Sequence, residues 1–349
     1  MGSFPADTKA YVLHAPEFSN KYYILSNPHT CRLMAYPEVT GFSSYLATLP
    51  STEAAMRYLF PEGGDVDILT ILRGGLNYPI EQACHTCGIR VRDIHFLSCE
   101  RIIEDKVITG LEIKYEKVFP AEARTLAIGD IIATGDTFRL CLKTIAEMFR
   151  ERGGSIRRMI IFTIGGTRAI DLIEEMTTWM RGLFPGFEGF DCFFYEGIFT
   201  VYEDKGVTGI NVPNIDFGWK GGIVSPGFRS FVMENPETLL EKCIIYDGGA
   251  RRYEIPLHFH EVLEYWEDML HVAPKVDTHA FIAEKLGYEG PIEYEKWLEI
   301  NHFQGLDSVS LNKLWAKEQN LLATAAGLPL TQTASCRIDA IKSILKQYE

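Results

Sequence analysis

A short run of acidic, glycine and hydroxyl residues near the middle of the chain has the composition and spacing of an anion-binding turn. Asp130 follows the apolar run 126–128, and the turn 133–137 (Ala-Thr-Gly-Asp-Thr) comes directly before a helical pattern. Glycine lets such a turn point successive backbone N–H groups at one phosphate, and a helix N-terminus adds positive potential there. Thr134 and Thr137 add hydroxyl donors, while the Asp130 carboxylate can accept hydrogen bonds from sugar hydroxyls or contact a metal through water. The alternative is a strand-turn-helix unit in which Gly and Thr serve only turn geometry and capping.

A second glycine-rich turn follows an earlier apolar run. Residues 66–72 lead into Arg73-Gly74-Gly75. The glycines allow close backbone approach to an anion, and Arg73 can donate charge-assisted hydrogen bonds. The charged stretch between the two turns supplies further candidate cations, each of which is otherwise an ordinary solvated charge: Arg101, Lys106, Lys114 and Lys117.

Alternating strand and helix patterns predict how these turns are positioned. Strands are predicted at 66–72, 91–97, 111–119, 126–132, 158–164 and 193–202, and helices at 51–59, 78–87, 138–150 and 169–180. This alternation predicts an α/β fold with a mainly parallel sheet flanked by helices. Open sheets of this kind bind ligands at the carboxyl ends of their strands, where Asp130 and the strand-end sequence Gly-Gly-Thr-Arg (165–168) are expected to lie.

The run Ile128-Gly129-Asp130-Ile131-Ile132-Ala133-Thr134-Gly135-Asp136-Thr137 resembles the motif that binds 5-phosphoribosyl 1-diphosphate (PRPP) in type I phosphoribosyltransferases. Arg73-Gly74-Gly75 is similar to the pyrophosphate loop of that family, and residues 99–119 resemble its flexible loop over the reaction centre. The resemblance implies transfer of 5-phosphoribose from PRPP to a nitrogenous small-molecule acceptor, with Mg²⁺ as cofactor. It also implies a variable hood that covers the acceptor. A C-terminal helical extension is expected in addition.

The resemblance assigns roles to individual residues of this chain. PRPP binding falls to Asp130, Ala133, Thr134, Gly135, Asp136, Thr137, Arg73, Gly74 and Gly75. Catalysis falls to Asp130, Arg73, Arg101 and Lys106, and the metal contact to Asp130. In the hood, Phe217 or Trp219 could lie against a flat acceptor ring, although core packing explains these aromatics equally well.

Three positions depart from the family pattern. Gly129 replaces the first of two adjacent acids, and Asp136 stands where the family often has Gly, so its side chain is expected to point away from the phosphate. Ala133 stands in place of the Asp that faces the base in hypoxanthine-guanine enzymes. The adenine and uracil types of the family also lack this Asp. A proton acceptor would then come from elsewhere, with Glu196 and Asp216 as candidates. Two functions remain open: an enzyme with an unusual acceptor, or a non-catalytic PRPP sensor or regulator. A diphosphokinase that makes PRPP is disfavoured, since no ATP site or duplicated domain is visible.

Composition excludes several classes of protein. The 349 residues carry a formal net charge of −13, which argues against a nucleic-acid surface. The apolar runs are too short to span a membrane, no secretory leader is visible, and eight scattered cysteines suit a reducing compartment, so a cytoplasmic location is expected. Cys84 with Cys87, and His258 with His260, are expected to be structural rather than metal ligands. A homodimer is compatible with the sequence.

The expected organisation has four segments. Residues 1–60 form an N-terminal segment that is part of the hood, and 61–203 form the core. Residues 204–255 are a loop-rich hood region, and 256–349 are a helical C-terminal extension whose apolar residues recur at helical spacing.

Overall fold

The computed structural model describes residues 4–5, 7–72, 79–104, 107–201, 205–210, 217–241, 253–301 and 307–349, with backbone only at 103–104, 107–108 and 217. Its strands are β1 (Lys9–Leu13), β2 (Lys21–Ser26), β3 (Gly64–Leu72), β4 (Ile89–Glu104), β5 (Val107–Lys117), β6 (Arg124–Ile132), β7 (Ile156–Gly166), β8 (Gly189–Val201) and β9 (Phe217–Val224). Its α-helices are α1 (Pro28–Ala35), α2 (Phe42–Leu59), α3 (Ile80–Thr86), α4 (Asp136–Glu151), α5 (Arg168–Leu183), α6 (Pro226–Glu234), α7 (Ile255–Val272), α8 (Thr278–Lys285), α9 (Tyr294–Asn301), α10 (Ser308–Ala325) and α11 (Leu330–Leu345). Short 3-10 helices cover Pro236–Leu240 and Ala273–Lys275.

The chain divides into two compact units. The first comprises Met1–Asn27 and Tyr45–Tyr195, and the second comprises Pro28–Ser44 and Glu196–Glu349. The boundary after Tyr195 falls within β8, earlier than residue 203, where the sequence places the end of the core. The hood role expected of residues 1–60 and 204–255 stays a prediction.

A mostly parallel sheet forms the first unit, in the strand order β1-β2-β8-β7-β6-β3-β4-β5. Strand pairs β2–β8, β6–β7, β3–β6 and β3–β4 are parallel, while β1–β2 and β4–β5 are antiparallel. Helices α3, α4 and α5 pack against these strands. The predicted α/β class and the parallel sheet are therefore confirmed.

Burial explains why the central strands have nearly continuous apolar sequences. Residues 126–128 of β6 and 160–162 of β7 are fully buried, because helices cover the sheet there. Only a strand covered on both faces loses the alternation of apolar and polar residues that marks a half-exposed strand. This is why these two strands were readable from sequence.

Residues 99–119 differ from the expected flexible loop. Most of this segment belongs to the antiparallel hairpin of β4 and β5, which pairs from Phe96 opposite Lys117 to Glu104 opposite Val107. Along β5 the side chains from Glu112 to Tyr115 are exposed, so the hairpin is held mainly by its backbone ladder. The strand predicted at 111–119 is present as β5, and whether this hairpin closes over the reaction centre stays a prediction.

Helices dominate the second unit. They surround β9, which pairs antiparallel with the last residues of β8, from Gly197 to Val201. Helix α7 packs on α11, and α10 packs on α6 and α8. The predicted C-terminal helical extension is confirmed, while its boundary at residue 256 stays a prediction. Across the described ranges, no helix combines the length and the hydrophobicity needed to cross a membrane.

Candidate phosphate-binding site

The site begins where β6 and β7 end side by side. Their parallel register places Asp130 opposite Thr163 and Ile132 opposite Gly165. Residues 133–135 and 165–168 therefore leave the same edge of the sheet, and α4 and α5 start there. This is the strand-end position that the sequence predicts for both segments.

Gly135 makes the sharp turn between β6 and α4. Its φ is +85°, and a Cβ atom added there would lie 2.7 Å from Leu172 Cδ2 on α5. Both the left-handed backbone and the close approach of α5 require glycine. The turn is shorter than the sequence indicated, since α4 begins at Asp136 rather than at residue 138. Asp136 and Thr137 are thus the first residues of the helix.

The N-terminus of α4 has no side-chain cap. The Gly135 carbonyl accepts from Arg139 N at 2.8 Å, but within the described ranges the amides of residues 135–138 donate to no acceptor. The hydroxyls of Thr134 and Thr137 likewise have no hydrogen-bond partner in the described part of the chain. A set of free N–H and O–H donors at a helix N-terminus is suited to bind an anionic oxygen.

The Asp136 carboxylate, at the first position of α4, is paired with a nearby cation. Its Oδ1 accepts from Arg139 Nη2 at 3.1 Å, and its side chain is 47% exposed. The guanidinium therefore offsets a carboxylate that would otherwise repel a phosphate at the turn.

Asp130 lies at the end of β6 with an unusual protonation equilibrium. Burial raises the pKa of its carboxyl to about 7, while the Ile131 amide and Arg101 act in the opposite direction. Its Oδ1 accepts from Ile131 N at 2.8 Å. Near neutral pH the group is close to half-ionised, so hydrogen-bond donors or a cation placed next to it would favour the carboxylate form.

Among the described cations of the β4–β5 hairpin, Arg101 is the one whose charge acts on Asp130. Its side chain is otherwise exposed. Lys114 pairs instead with Glu112 at 2.7 Å and Glu100 at 3.3 Å, and the Lys117 ammonium lies 5.6 Å from the centre of the Phe119 ring. Four predicted site residues lie outside the described residues: Arg73, Gly74, Gly75 and Lys106.

Two cysteines that the sequence analysis did not single out form a contact between the β4–β5 hairpin and α4. Cys99 of β4 and Cys141 of α4 bring their Sγ atoms to 3.4 Å. Burial raises the pKa of the Cys141 thiol, and the pair forms a contact between hairpin and helix. Leu172, which closes off Gly135, was also missed. No local pattern marks these residues, because their importance depends on which elements are neighbours in the sheet.

The candidates from the hood region have different surroundings. The Glu196 carboxylate is fully buried and accepts from Thr30 Oγ1 at 2.5 Å and Ser225 Oγ at 2.8 Å. These hydrogen bonds connect it to α1 and to the N-cap of α6, and its expected role as a proton acceptor stays a prediction. Trp219 is 7% exposed, with the Arg229 guanidinium 4.9 Å from its ring centre, which favours its alternative role in the core. The Phe217 side chain and Asp216 lie outside the described residues.

The described residues contain no cluster of three or more His, Cys, Asp and Glu side chains able to hold a metal ion by themselves. Cys84 is buried, Cys87 contacts the Glu53 carbonyl, and buried His258 lies 2.8 Å from the Pro37 carbonyl, so all three have structural surroundings. A lone carboxylate such as Asp130 suits Mg²⁺, which keeps several waters and is often held by one or two carboxylates together with substrate phosphates.

Comparisons with known proteins find distant similarity to solved structures only. No protein-family model and no curated protein matches the chain. Among solved structures it is similar to a hypoxanthine phosphoribosyltransferase from Staphylococcus aureus (17% identity over 38% of this chain and 68% of that chain, TM-score 0.28). It is also similar to a hypoxanthine-guanine phosphoribosyltransferase from Bacillus anthracis (15%, 36% and 70%, TM-score 0.25) and to a protein from Aquifex aeolicus (12%, 54% and 89%, TM-score 0.35). Similarity at this level carries no information on activity.

Proposed function

We propose that the chain binds PRPP at the β6–α4 turn and transfers its 5-phosphoribosyl group to a nitrogenous acceptor, releasing diphosphate. The observation that supports this best is the uncapped N-terminus of α4, where the donors of residues 134–138 have no partner within the described ranges. Gly135, whose φ of +85° favours glycine, lies among these donors. Asp130 lies at the end of β6, next to this turn, which is the position that a sugar-binding carboxylate needs.

Each part of the turn has a distinct task in this proposal. The amides of α4 and the hydroxyls of Thr134 and Thr137 hold the 5′-phosphate. The Asp130 carboxylate accepts from the ribose hydroxyls, and their donation stabilises its ionised form against the effect of burial. Because the sugar is held at both ends, positioning supplies much of the rate enhancement.

The reaction exchanges one bond at the anomeric carbon. A nitrogen of the acceptor forms the new bond to that carbon, and the bond to the diphosphate oxygen breaks with its electron pair leaving on diphosphate. The acceptor proton passes to a base or to the departing diphosphate. Positive charge develops on the ribose and negative charge on the leaving group, where Arg101 and the predicted Arg73 and Lys106 would stabilise it. Mg²⁺, held near Asp130 together with the phosphates, would supply further charge neutralisation. The acceptor-binding role of Phe217 and Trp219 remains a prediction.

A non-catalytic PRPP sensor is the second candidate. Gly129 favours it, since this position, one residue before Asp130, lacks a second carboxylate. Such a protein would keep the phosphate cradle and lose the chemistry, so binding and turnover must be measured separately.

Calorimetric titration with PRPP and Mg²⁺, followed by a diphosphate-release assay over a panel of purine, pyrimidine and simpler amine acceptors, tests both candidates. We expect saturable binding, and release with at least one acceptor. Asp130→Asn removes the charge that binds the sugar and should lower kcat/KM by about 10- to 100-fold, the scale of one or two charge-assisted hydrogen bonds.

Asp136→Asn is the matched control, since it makes the same change six residues away on a carboxylate already paired with Arg139. PRPP affinity should be unchanged or improved there. Binding without release for any acceptor would favour the sensor. Absence of PRPP binding, or normal turnover in Asp130→Asn, would refute the assigned roles.

A further inference from the structure

Two thiols lie close together where the β4–β5 hairpin meets α4. The Sγ atoms of Cys99 on β4 and Cys141 on α4 are 3.4 Å apart, and α4 packs against both strands of the hairpin. A disulfide requires about 2.05 Å between its two sulfur atoms, so these atoms need to approach by only a short further distance. The phosphoribosyl transfer proposed above gives this pair no role.

The two sulfur atoms differ in their access to solvent. Cys99 is partly exposed, whereas Cys141 is buried. An oxidant in solution therefore reaches Cys99 first, and the Cys141 thiol is in position to react with the oxidised sulfur. An accessible cysteine beside a second, resolving cysteine is a common arrangement in redox-sensitive proteins.

The surroundings of the pair connect it to the candidate phosphate-binding site. Arg101 follows Cys99 by two residues in a regular stretch of β4, so the two side chains lie on the same face of the hairpin. The charges of Asp130 and Arg101 both act on the Cys141 thiol. A bond between the two sulfur atoms would therefore restrain the strand that carries Arg101, next to the end of β6.

We propose that Cys99 and Cys141 are a redox pair that forms a reversible disulfide with a peroxide as oxidant, and that this bond ties the β4–β5 hairpin to α4. The inference goes beyond the proposed function and does not depend on it, because the two thiols react whether or not PRPP binds. Either proposal can fail without the other.

The oxidation has two balanced steps. The Cys99 thiolate attacks one oxygen of hydrogen peroxide, the O–O bond breaks, and the leaving hydroxide takes up the thiol proton as water, so that Cys99 becomes a sulfenic acid. The Cys141 sulfur then attacks the Cys99 sulfur, and the S–O bond breaks. Burial raises the pKa of the Cys141 thiol, so its proton leaves as the S–S bond forms and departs with the oxygen as water. Two thiols and one peroxide thus give one disulfide and two waters, and a dithiol reverses the oxidation.

Peptide mapping of the full chain after treatment with excess hydrogen peroxide tests the inference. With free thiols alkylated before digestion, trypsin releases Cys99 in the peptide 93–101 and Cys141 in the peptide 140–143, each with one cysteine. We expect these two peptides to be joined in the oxidised protein and separate after reduction. The folded protein should form the bond at least about tenfold faster than the urea-unfolded protein, because the fold holds the two sulfur atoms together.

Three variants locate the bond. Cys141→Ala should abolish the joined peptides and leave Cys99 as a sulfenic acid, which dimedone labels. Cys87→Ser removes another partly exposed thiol, and Cys336→Ser removes an exposed one, so neither should change the yield of joined peptides. Circular dichroism confirms that the variants are folded.

Hydrogen exchange measures the consequence for the hairpin. Oxidation should slow the exchange of β5 amides (107–117) by at least about threefold, because the bond restrains opening of the hairpin away from α4. The Cys141→Ala protein, treated with peroxide in the same way, should show no slowing.

Three results would overturn the proposal. They are the absence of joined peptides from the folded, oxidised protein, equal rates of bond formation in the folded and the urea-unfolded protein, and unchanged exchange of the β5 amides after the disulfide has formed.

Discussion

At the scale of single residues, Gly135 shows how one backbone position shapes the candidate site. Its φ of +85° turns the chain from β6 into α4, and Leu172 leaves no space for a side chain. Gly153, just beyond the other end of α4, also has a positive φ of +77°, but nothing lies within 4 Å of a Cβ placed there. Substitutions at the two glycines can therefore be compared to separate the cost of a left-handed backbone from the cost of a steric contact.

Gly153→Ala should lower the free energy of unfolding by about 1 kcal/mol, the cost of a left-handed backbone for alanine. Gly135→Ala should cost about 2–4 kcal/mol, because overpacking against Leu172 is added to the same strain. Urea unfolding of both variants measures the difference. Equal costs would show that α5 does not restrict the turn. PRPP titration of the folded Gly135→Ala protein should also show weakened binding, since the amides of α4 are displaced.

At the scale of elements, a buried charge cluster joins the helices of the second unit. Glu318 on α10 is fully buried and accepts from Arg229 on α6 at 3.1 Å, from Trp297 on α9 at 2.9 Å, and from the Tyr288 hydroxyl. One carboxylate thus fixes three segments around α10. Its removal would break the ion pair with the Arg229 guanidinium, which is 2% exposed.

Glu318→Ala should therefore destabilise the protein by about 3–5 kcal/mol. The neighbouring Lys317→Ala breaks only an exposed pair with Glu234 and should cost about 1 kcal/mol or less. Thermal and denaturant unfolding of the two variants gives the comparison. A similar small loss in both would mean that packing, rather than the buried carboxylate, holds the helices.

At the scale of the whole molecule, two carboxyl groups, one in each compact unit, are held away from water. Burial raises the pKa of Asp130 from 3.8 to about 7 and that of Glu241 from 4.5 to about 7. Around Glu241, Arg337 and the Trp266 N–H lower the pKa and Glu38 raises it. The Lys285 ammonium donates to the Glu241 backbone carbonyl. For such groups the native state keeps a proton that the unfolded state has lost.

Their contribution to stability is therefore complete below about pH 4 and is lost as the pH rises towards 7. We expect the unliganded, metal-free protein to have a lower Tm at pH 8 than at pH 5.5. The double variant Asp130→Asn and Glu241→Gln should show a smaller drop. Acids with lowered pKa, such as Glu174 and Asp307, lose their contribution only below about pH 4.5 and do not affect this window. Scanning calorimetry at both pH values measures the effect, and an unchanged drop in the variant would contradict it.

Local sequence patterns were enough to predict the elements on either side of the turn and the turn itself. Strand β6, the turn 133–135 and α4 are contiguous, so their order of apolar run, glycine-threonine turn and helical spacing carries the whole local signal. The same holds for β7 and for the C-terminal helices. Boundaries shifted by a few residues, because the first turn of α4 has no cap residue that would mark its start.

Which side chains surround that turn depends on how the strands and helices pack. Arg101 acts on Asp130, and Leu172 closes against Gly135, because β3, β4, β6 and β7 are neighbours in one sheet. Glu196 is a buried acceptor of hydrogen bonds from Thr30 and Ser225, and four separate segments line a cavity in the second unit. Such contacts join residues far apart in the chain, and local spacing does not encode them, since they depend on how strands and helices pack.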